Sequence, residues 1–353
     1  MNKIDHYLTT ALQQKASDLH FVSGDPVRAR IHGGLQILDQ ERLSVEAVQE
    51  AVFEIMDGAA QRTFEDHDAA DFAYEIPEVS RFRVNAFRHL NGIGAIFRAI
   101  PSSAMTLEEL NMPKVIHDLC RYTQGMILVT GKTGSGKSTT LAAMIDSMNK
   151  RMKGHILTIE DPIEFVHKAQ GCLISQREGG VHSPNFAEAL HSALREDPDV
   201  ILVGEMRDLE TISIAVTAAE MGILVKATLH TNGTAATVDR IINSFPADKQ
   251  AHIRTMISTS LRGVVSQQLL PTIHRPGRAA ALEIMINTPA VSNLIRQGKI
   301  DQLETAIQSG GNVGMQPMDK ALMDLVEKGW VSGKEAYLQA NNKHKFEQVK
   351  DMD

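Results

Sequence analysis

A glycine-rich segment near the middle of the chain carries the residue types with the clearest chemistry. Residues 131–138 read GKTGSGKS and match the pattern G-x-x-x-x-G-K-[ST] at every fixed position. Glycines let a backbone curl until successive N–H groups point inward, and such a concave surface binds phosphate oxygens. The segment therefore predicts a site for nucleotide phosphates. The residues expected to line this site are Thr133, Gly134, Ser135, Gly136, Lys137, Ser138 and Thr139.

The flanking segments supply the strand and the helix that this pattern requires. Residues 126–130 (MILVT) form an apolar run typical of a short buried strand, and apolar residues between 141 and 148 recur at helical spacing. In a strand–loop–helix context, Lys137 reaches the β- and γ-phosphates, and the Ser138 hydroxyl binds Mg²⁺. We therefore expect ATP and Mg²⁺ as cofactors.

Acidic side chains follow the next apolar run. Residues 155–161 (HILTIED) precede Pro162, which ends the predicted strand. Glu160, Asp161 and Glu164 are thus expected at its carboxyl end, where open parallel sheets bind their ligands. A lone acidic cluster is usually solvated, but this one follows a buried strand in a chain with a phosphate-binding pattern. We therefore favour metal binding or water positioning by these carboxylates.

Two later apolar runs also end in residues suited to nucleotide chemistry. Residues 199–208 (DVILVGEMRD) contain a buried strand followed by Glu205, which resembles a Walker B element with glutamate as its acid. Glu205 is therefore a predicted Mg²⁺ ligand, directly or through water. Residues 224–232 (LVKATLHTN) contain a strand that ends in His230, a candidate sensor of the γ-phosphate. Arg240, in the helix that follows, is a further candidate nucleotide contact.

The first hundred residues are expected to form a separate small α/β domain. Residues 80–88 alternate between apolar and polar side chains, which places Arg83 on a polar face. The returning strand over 94–100 carries Arg98. The simplest interpretation of such a face is contact with solvent. The alternative is that both arginines stabilise transition-state charge at a bound nucleotide, which is a recurring need of phosphoryl transfer.

The order of elements predicts an α/β core, either RecA-like or another doubly wound sheet, preceded by the small domain. A Pro-Ser-Ser break separates the two parts. We divide the chain into a first domain over 1–100, a linker over 101–113, and a second domain over 114–353 that includes C-terminal helices. Apolar spacing further predicts one long core-facing helix over 253–265.

Composition narrows the class of protein. The 353 residues are 43% hydrophobic and 22% charged, with a net charge of -7. This acidic balance does not indicate a dedicated nucleic-acid-binding protein. The chain has neither an apolar run long enough for a bilayer nor a signal-peptide core, so we expect a cytoplasmic protein. Cys120 and Cys172 are expected to be buried thiols.

Seven segments occur in an informative order along nearly the whole chain. They read SDLHF, SRFRVNAF, GKTGSGKSTT, TIEDPIEF, ALREDPDVILVGEMRDLETI, ATLHTN and DRIINSFP. This set resembles the secretion-ATPase superfamily and, within it, the type IV pilus retraction ATPases of twitching motility. The resemblance implies a PAS-like first domain, a RecA-like ATPase domain and a homohexameric ring. It also implies that the ring works at the cytoplasmic face of the inner membrane, on the platform protein of the pilus machine, without nucleic acid and without membrane contact of its own.

The same resemblance implies roles for individual residues. Glu164 falls in the catalytic position of the Asp box, Glu205 in the Walker B region, and His230 in the His box. Arg83 and Arg98 match arginines that reach a nucleotide across a domain interface.

Several alternatives stay open. Residues 290–297 (AVSNLIRQ) differ from the A-I-R-N-L-I-R-E segment of retraction ATPases at Ser292 and Gln297, which leaves an accessory retraction ATPase as one alternative. A pilus assembly ATPase is another, although that class carries a four-cysteine zinc insertion. A nucleic-acid translocase would require a basic channel and aromatic stacking positions. A regulator that binds ATP without hydrolysis is disfavoured by Lys137 and Glu205.

Overall fold

The chain folds into two compact units, Met1–Ser103 and Ala104–Asp353. The computed structural model describes residues 2–31, 34–101, 104–274 and 277–351. Ser102 and Ser103, in the predicted break, lie outside the described residues. Residues 104–113, which we assigned to the linker, belong to the second unit, where Leu107 and Met112 are buried.

The first unit is an antiparallel sheet packed against helices. Its elements are α1 (Asp5–Gln13), β1 (Asp18–Val22), β2 (Pro26–Ile31), β3 (Gly34–Arg42), α2 (Val45–Ile55), α3 (Gly58–His67), β4 (Ala69–Ile76), β5 (Ser80–His89) and β6 (Gly92–Ile100). The strands are ordered β3-β2-β1-β6-β5-β4. Phe82 and Val84 of β5 pack into the core of this unit, whereas Arg83 between them is exposed. The expected alternation in this strand is therefore confirmed.

The second unit is a mixed sheet covered by helices. Its elements are α4 (Lys114–Leu119), β7 (Gly125–Thr130), α5 (Lys137–Arg151), β8 (His155–Glu160), β9 (Leu173–Glu178), α6 (Phe186–Ala193), β10 (Val200–Val203), α7 (Leu209–Glu220), β11 (Leu224–Leu229), α8 (Thr234–Asn243), α9 (Ala247–Ser260), β12 (Leu261–Pro271), β13 (Arg278–Ile286), α10 (Pro289–Gln297), α11 (Leu303–Ser309), α12 (Met318–Glu327) and α13 (Gly333–Gln339). Short 3₁₀ turns cover Ile300–Gln302, Gly311–Val313 and Lys343–Phe346. Across the described ranges, no helix is both long and apolar enough to span a bilayer.

The sheet of the second unit explains why the expected site residues converge. Its strands are ordered β13-β12-β7-β11-β10-β8-β9, and all neighbours are parallel except β12 and β13. Parallel strands end at a common edge, which is where β7, β8, β10 and β11 deliver the residues that follow them. The predicted α/β fold class with a parallel sheet is confirmed.

Strand β7 is buried on both faces of this sheet. Met126 and Leu128 pack into one apolar cluster with α6, α7 and α9, whereas Ile127 and Val129 pack into another with α4 and α5. A strand covered by helices on both sides has no polar face, which accounts for its continuous apolar sequence. The glycine segment therefore begins from a rigid point in the fold.

The prediction of a helix over 253–265 is wrong for the second half of that range. Helix α9 ends at Ser260, and β12 begins at the next residue and pairs in parallel with β7. Apolar spacing alone does not distinguish a buried strand from a buried helix. Gly263 lies on this strand, where a Cβ would lie 3.0 Å from the Leu119 side chain.

A lysine lies in the centre of the parallel sheet. Lys226, on β11, is 0% exposed, and its Nζ has no hydrogen-bond partner among the described residues. Burial lowers the pKa of this amine; nearby Cys120 opposes the shift, and Arg151 adds to it. The native state therefore favours the neutral amine, and an apolar side chain of similar length should suit this position better.

We predict that Lys226→Met raises the free energy of unfolding by about 1–3 kcal/mol at pH 7. The gain should shrink as pH rises toward about 10, since the lowered pKa of Lys226 means that the folded wild type binds fewer protons than the unfolded chain below that pH. Wild-type stability therefore increases with pH across this window, whereas the variant lacks this contribution. Urea unfolding at pH 7 and pH 9 measures both effects.

Lys249→Met, at an exposed position on α9, is the control and should change the unfolding free energy by less than about 0.5 kcal/mol. A destabilised Lys226→Met protein, or a gain that is equal at both pH values, would show that the buried amine is not a stability cost.

Candidate functional site

The glycine loop between β7 and α5 has a backbone that other residues cannot adopt without strain. Gly136, the residue before α5, has φ +86° in the left-handed region. A Cβ at this position would also lie 2.7 Å from Gln267 Nε2. No side chain caps the start of α5. The first amide N–H groups of this helix therefore lack intrahelical acceptors and face the loop, which suits an anion.

Gln267 of β12 holds the loop in place and was not predicted from sequence. Its Nε2 donates to the Ser135 carbonyl oxygen at 2.7 Å, and its Oε1 accepts from Thr140 Oγ1 at 2.7 Å. The side chain is 2% exposed. One glutamine thus links the loop to the first turn of α5. The one sequence signal for it is a polar Gln267–Gln268 pair inside an apolar strand.

Lys137 lies at the centre of the loop. Its Nζ donates to the carbonyl oxygens of Gly131 at 3.0 Å and Lys132 at 3.2 Å. Burial lowers the pKa of this amine, while the carboxylates of Glu205 and Glu164 oppose the shift. Both predicted acids therefore act electrostatically on the predicted phosphate-binding lysine.

His230 connects Lys137 to Glu205. Its Nε2 lies 2.9 Å from Glu205 Oε1, and its Nδ1 lies 3.5 Å from Lys137 Nζ. A neutral ring that donates from Nε2 to the carboxylate leaves the Nδ1 lone pair for the lysine, so this tautomer satisfies both contacts. The structure thus brings together three residues that the sequence places at separate strand ends.

Arg207 completes this group and was also missed from the sequence. Its Nε donates to the second oxygen of Glu205 at 2.9 Å, and its Nη1 lies 3.4 Å from Asp161 Oδ2. Glu205 is therefore held on one side by a histidine and on the other by an arginine. The sequence signal for Arg207 is its position in the GEMRD segment, two residues after Glu205.

The two glutamates after β8 differ in their surroundings. Glu160 is buried and accepts hydrogen bonds from Thr158 Oγ1 at 2.7 Å, Gln176 Nε2 at 3.2 Å and the Glu164 backbone N–H at 3.3 Å. Burial raises the pKa of this carboxyl despite those bonds. Glu164 is exposed. Glu160 therefore supports the segment, whereas the Glu164 carboxylate is accessible to a ligand.

The remaining predicted residues occupy separate positions. Ser138 and Thr139 are half-buried on the first turn of α5, Thr133 and Gly134 are exposed in the loop, and Arg240 is exposed on α8. Within the described ranges, no group of three His, Cys, Asp or Glu side chains could hold a metal by itself.

Arg83 and Arg98 belong to the first unit. They lie directly opposite each other on β5 and β6. Arg98 Nε donates to Asp18 Oδ1 at 2.8 Å, whereas Arg83 Nη2 lies 3.8 Å from Asp71 Oδ1. Their role at a nucleotide stays a prediction.

The chain is similar to proteins of pilus and secretion machines. Residues 1–296 match the family described as "Type II/IV secretion system protein". The chain is 50% identical over 333 residues to the type IV pilus retraction ATPase PilT of Pseudomonas aeruginosa, covering 94% of this chain and 96% of that protein. It is 48% identical over 334 residues to a twitching motility protein of Neisseria gonorrhoeae, covering 95% and 89%.

A solved structure shares the fold over its full length. The crystal structure of the pilus retraction motor PilT with bound ADP has a TM-score of 0.92 and 39% identity, and the match covers 99% of each chain. The expected membership of the secretion-ATPase superfamily is thereby confirmed. By its sequence and its fold, the chain belongs to the type II/IV secretion system protein family.

Proposed function

We propose that the protein is a Mg²⁺-dependent ATPase that powers retraction of type IV pili and hence twitching motility. The observation that carries this proposal is the convergence of Lys137, His230 and Glu205 at one edge of the sheet, beside an uncapped helix N-terminus. The similarity of nearly the whole chain to a pilus retraction ATPase supports pilus retraction as the process that ATP hydrolysis powers.

The loop fits a nucleotide chemically. The start of α5 offers amide N–H groups, and Ser135 Oγ is buried without a hydrogen-bond partner among the described residues. ATP phosphates would bind residues 133–139, with Lys137 exchanging its carbonyl partners for phosphate oxygens, and Arg240 would add a further contact. Ser138 and Glu205 would hold Mg²⁺, Glu205 directly or through water. The ion would neutralise charge on the β- and γ-phosphates.

The carboxylates and the histidine would divide the catalytic work. Glu164 is accessible and acts on Lys137 electrostatically, so it is the better candidate to orient or deprotonate the attacking water. Glu160 is buried and already accepts several hydrogen bonds. His230, held by Glu205, would respond to the γ-phosphate that Lys137 contacts.

The working form would be a homohexamer at the cytoplasmic face of the inner membrane. Arg83 and Arg98 would complete a nucleotide site by stabilising transition-state charge. The ring would act on the inner-membrane platform protein of the pilus machine, and it would meet the membrane through such partners alone.

Residues 290–297 bear on the choice between a main and an accessory motor. Ser292 Oγ donates to the Ser258 carbonyl oxygen at 2.7 Å, and Arg296 Nε donates to Ser258 Oγ at 3.4 Å. The departure from the retraction pattern at Ser292 thus binds α10 to the end of α9. Because Ser292 bonds to α9, we expect this departure to leave ATP hydrolysis unchanged.

We predict that Glu164→Gln lowers steady-state ATP hydrolysis by about 10²–10³-fold, while ATP affinity changes by less than about threefold. Glutamine keeps the size of the side chain and removes the base. Turnover assays and binding of a fluorescent ATP analogue measure the two effects. Glu220→Gln, exposed at the far end of α7, is the matched control and should behave as wild type. Normal hydrolysis by Glu164→Gln would remove this residue from the chemistry.

We predict that mixing Lys137→Ala subunits with Arg83→Ala subunits restores part of the ATPase activity. Each variant alone should be nearly inactive. Lys137→Ala removes the predicted phosphate-binding lysine, and Arg83→Ala removes a predicted arginine finger, a group that contributes about 10³–10⁵ in rate. In a mixed ring, some interfaces pair an intact loop with an intact arginine. Native mass spectrometry establishes that the rings are mixed. Mixed rings without recovered activity would place the arginine within one subunit or give it a structural role.

We predict that deletion of the gene leaves cells with an excess of surface pili that do not retract, counted by electron microscopy. Restoring the wild-type gene should reverse the phenotype, and the Lys137→Ala gene should not. Loss of all pili would instead indicate an assembly ATPase. Normal pilus number with weakened retraction would indicate the accessory motor.

A further inference from the structure

A buried carboxylate lies beneath Arg98 in the first unit. Asp18 of β1 and Arg98 of β6 face each other across paired strands. The Asp18 side chain is 7% exposed, whereas that of Arg98 is 69% exposed. Arg98 Nε donates to Asp18 Oδ1 at 2.8 Å. The contact therefore joins an accessible cation to a fixed point inside the sheet.

The carboxylate is held from its other side as well. Ser17 Oγ donates to Asp18 Oδ2 at 2.7 Å. Burial acts to raise the pKa of Asp18, but the hydrogen bonds from Ser17 and Arg98 prevail and hold it below its usual value. Asp18 is thus an ionised group with both oxygens engaged, and it has little freedom to follow a moving arginine.

Anchoring through Nε has a geometric consequence. A guanidinium group has five N–H donors in one plane, and a bond at Nε uses the one nearest the chain. Among the described residues, the terminal amino groups of Arg98 have no hydrogen bond to another side chain. On a side chain that is 69% exposed, they are therefore available to a ligand while Nε is held.

The neighbouring arginine adds a repulsion that this anchor opposes. Arg83 lies directly opposite Arg98 on β5, and like charges in such a pair repel. The nearest acid to Arg83 is Asp71, at 3.8 Å, which is too long for a hydrogen bond. Asp18 is therefore the group that holds one of the two cations against this repulsion.

We propose that Asp18, supported by Ser17, is a positioning residue that presents the terminal amino groups of Arg98 to a nucleotide phosphate. The inference rests on the proposed role of Arg98 in ATP hydrolysis. Asp18 itself does not touch the nucleotide. It fixes the guanidinium before the phosphate arrives, so that less freedom is lost when the transition state forms.

The test compares Asp18→Asn with Asp68→Asn. Asn keeps the shape of Asp18 and removes the charge. Asp68 accepts from Arg88 Nε at 2.6 Å in the same unit, so it forms the same kind of Nε–carboxylate pair, on a more exposed carboxylate and on an arginine with no proposed role. We expect Asp18→Asn to lower kcat by about 10–100-fold with KM nearly unchanged, and Asp68→Asn to behave as wild type.

A double variant separates positioning from general damage. If Asp18 acts through Arg98, Asp18→Asn combined with Arg98→Ala should be no slower than Arg98→Ala alone. If the double variant instead loses activity by the product of the two single losses, the inference is overturned. Ser17→Ala, which retains both charges, should lower kcat by about two- to fivefold. It is the variant to use in place of Asp18→Asn if that variant has a lowered melting temperature. Wild-type turnover by Ser17→Ala would then count against the proposal.

Two failures are distinguishable. If Arg98→Ala is impaired while Asp18→Asn turns over normally, the positioning role alone is wrong. If Arg98→Ala turns over normally while Lys137→Ala is inactive, the proposed role of Arg98 is wrong and the inference falls with it.

Discussion

The nucleotide-binding part of the protein depends on the shape of the glycine loop, which Gln267 sets by one hydrogen bond that it donates and one that it accepts. The glutamine spans Ser135 in the loop and Thr140 in the helix, and it reaches them from a strand 132 residues away in sequence from the serine. A loop with several left-handed glycines has many conformations available in isolation. The buried amide selects one of them, and the start of α5 then presents its N–H groups in a fixed direction.

Charge around this loop is balanced through a chain of contacts. Burial disfavours the charged form of Lys137, and the carboxylates of Glu205 and Glu164 compensate. Glu205 is in turn held by His230 and Arg207. No member of this chain can change partner without altering the balance at the others. A ligand that displaces Lys137 from its carbonyl partners therefore also affects the histidine and the acid behind it.

Much of this site could be predicted from the sequence, because strand ends in a parallel sheet converge. That rule was enough to place Lys137, Glu205 and His230 together. It could not identify Gln267, whose importance lies in contacts with residues far away in sequence. Arg207 is two residues from Glu205, but the convergence of strand ends says nothing about a residue that follows the acid. The helix predicted over 253–265 failed for a related reason, since apolar spacing is shared by buried helices and buried strands. In the first unit, alternation placed Arg83 on a polar face, but the carboxylate that anchors Arg98 depends on pairing across strands.

The direct passage from α9 into β12 has a mechanical consequence. Ser260 ends the helix and Leu261 begins the strand, so the chain has no slack between them. Just before this junction Ser258 accepts a hydrogen bond from Ser292 of α10, and farther along the strand Gln267 binds the loop. A displacement of α10 would therefore act on a stretch of backbone that leads without a loop from Ser258 to Gln267.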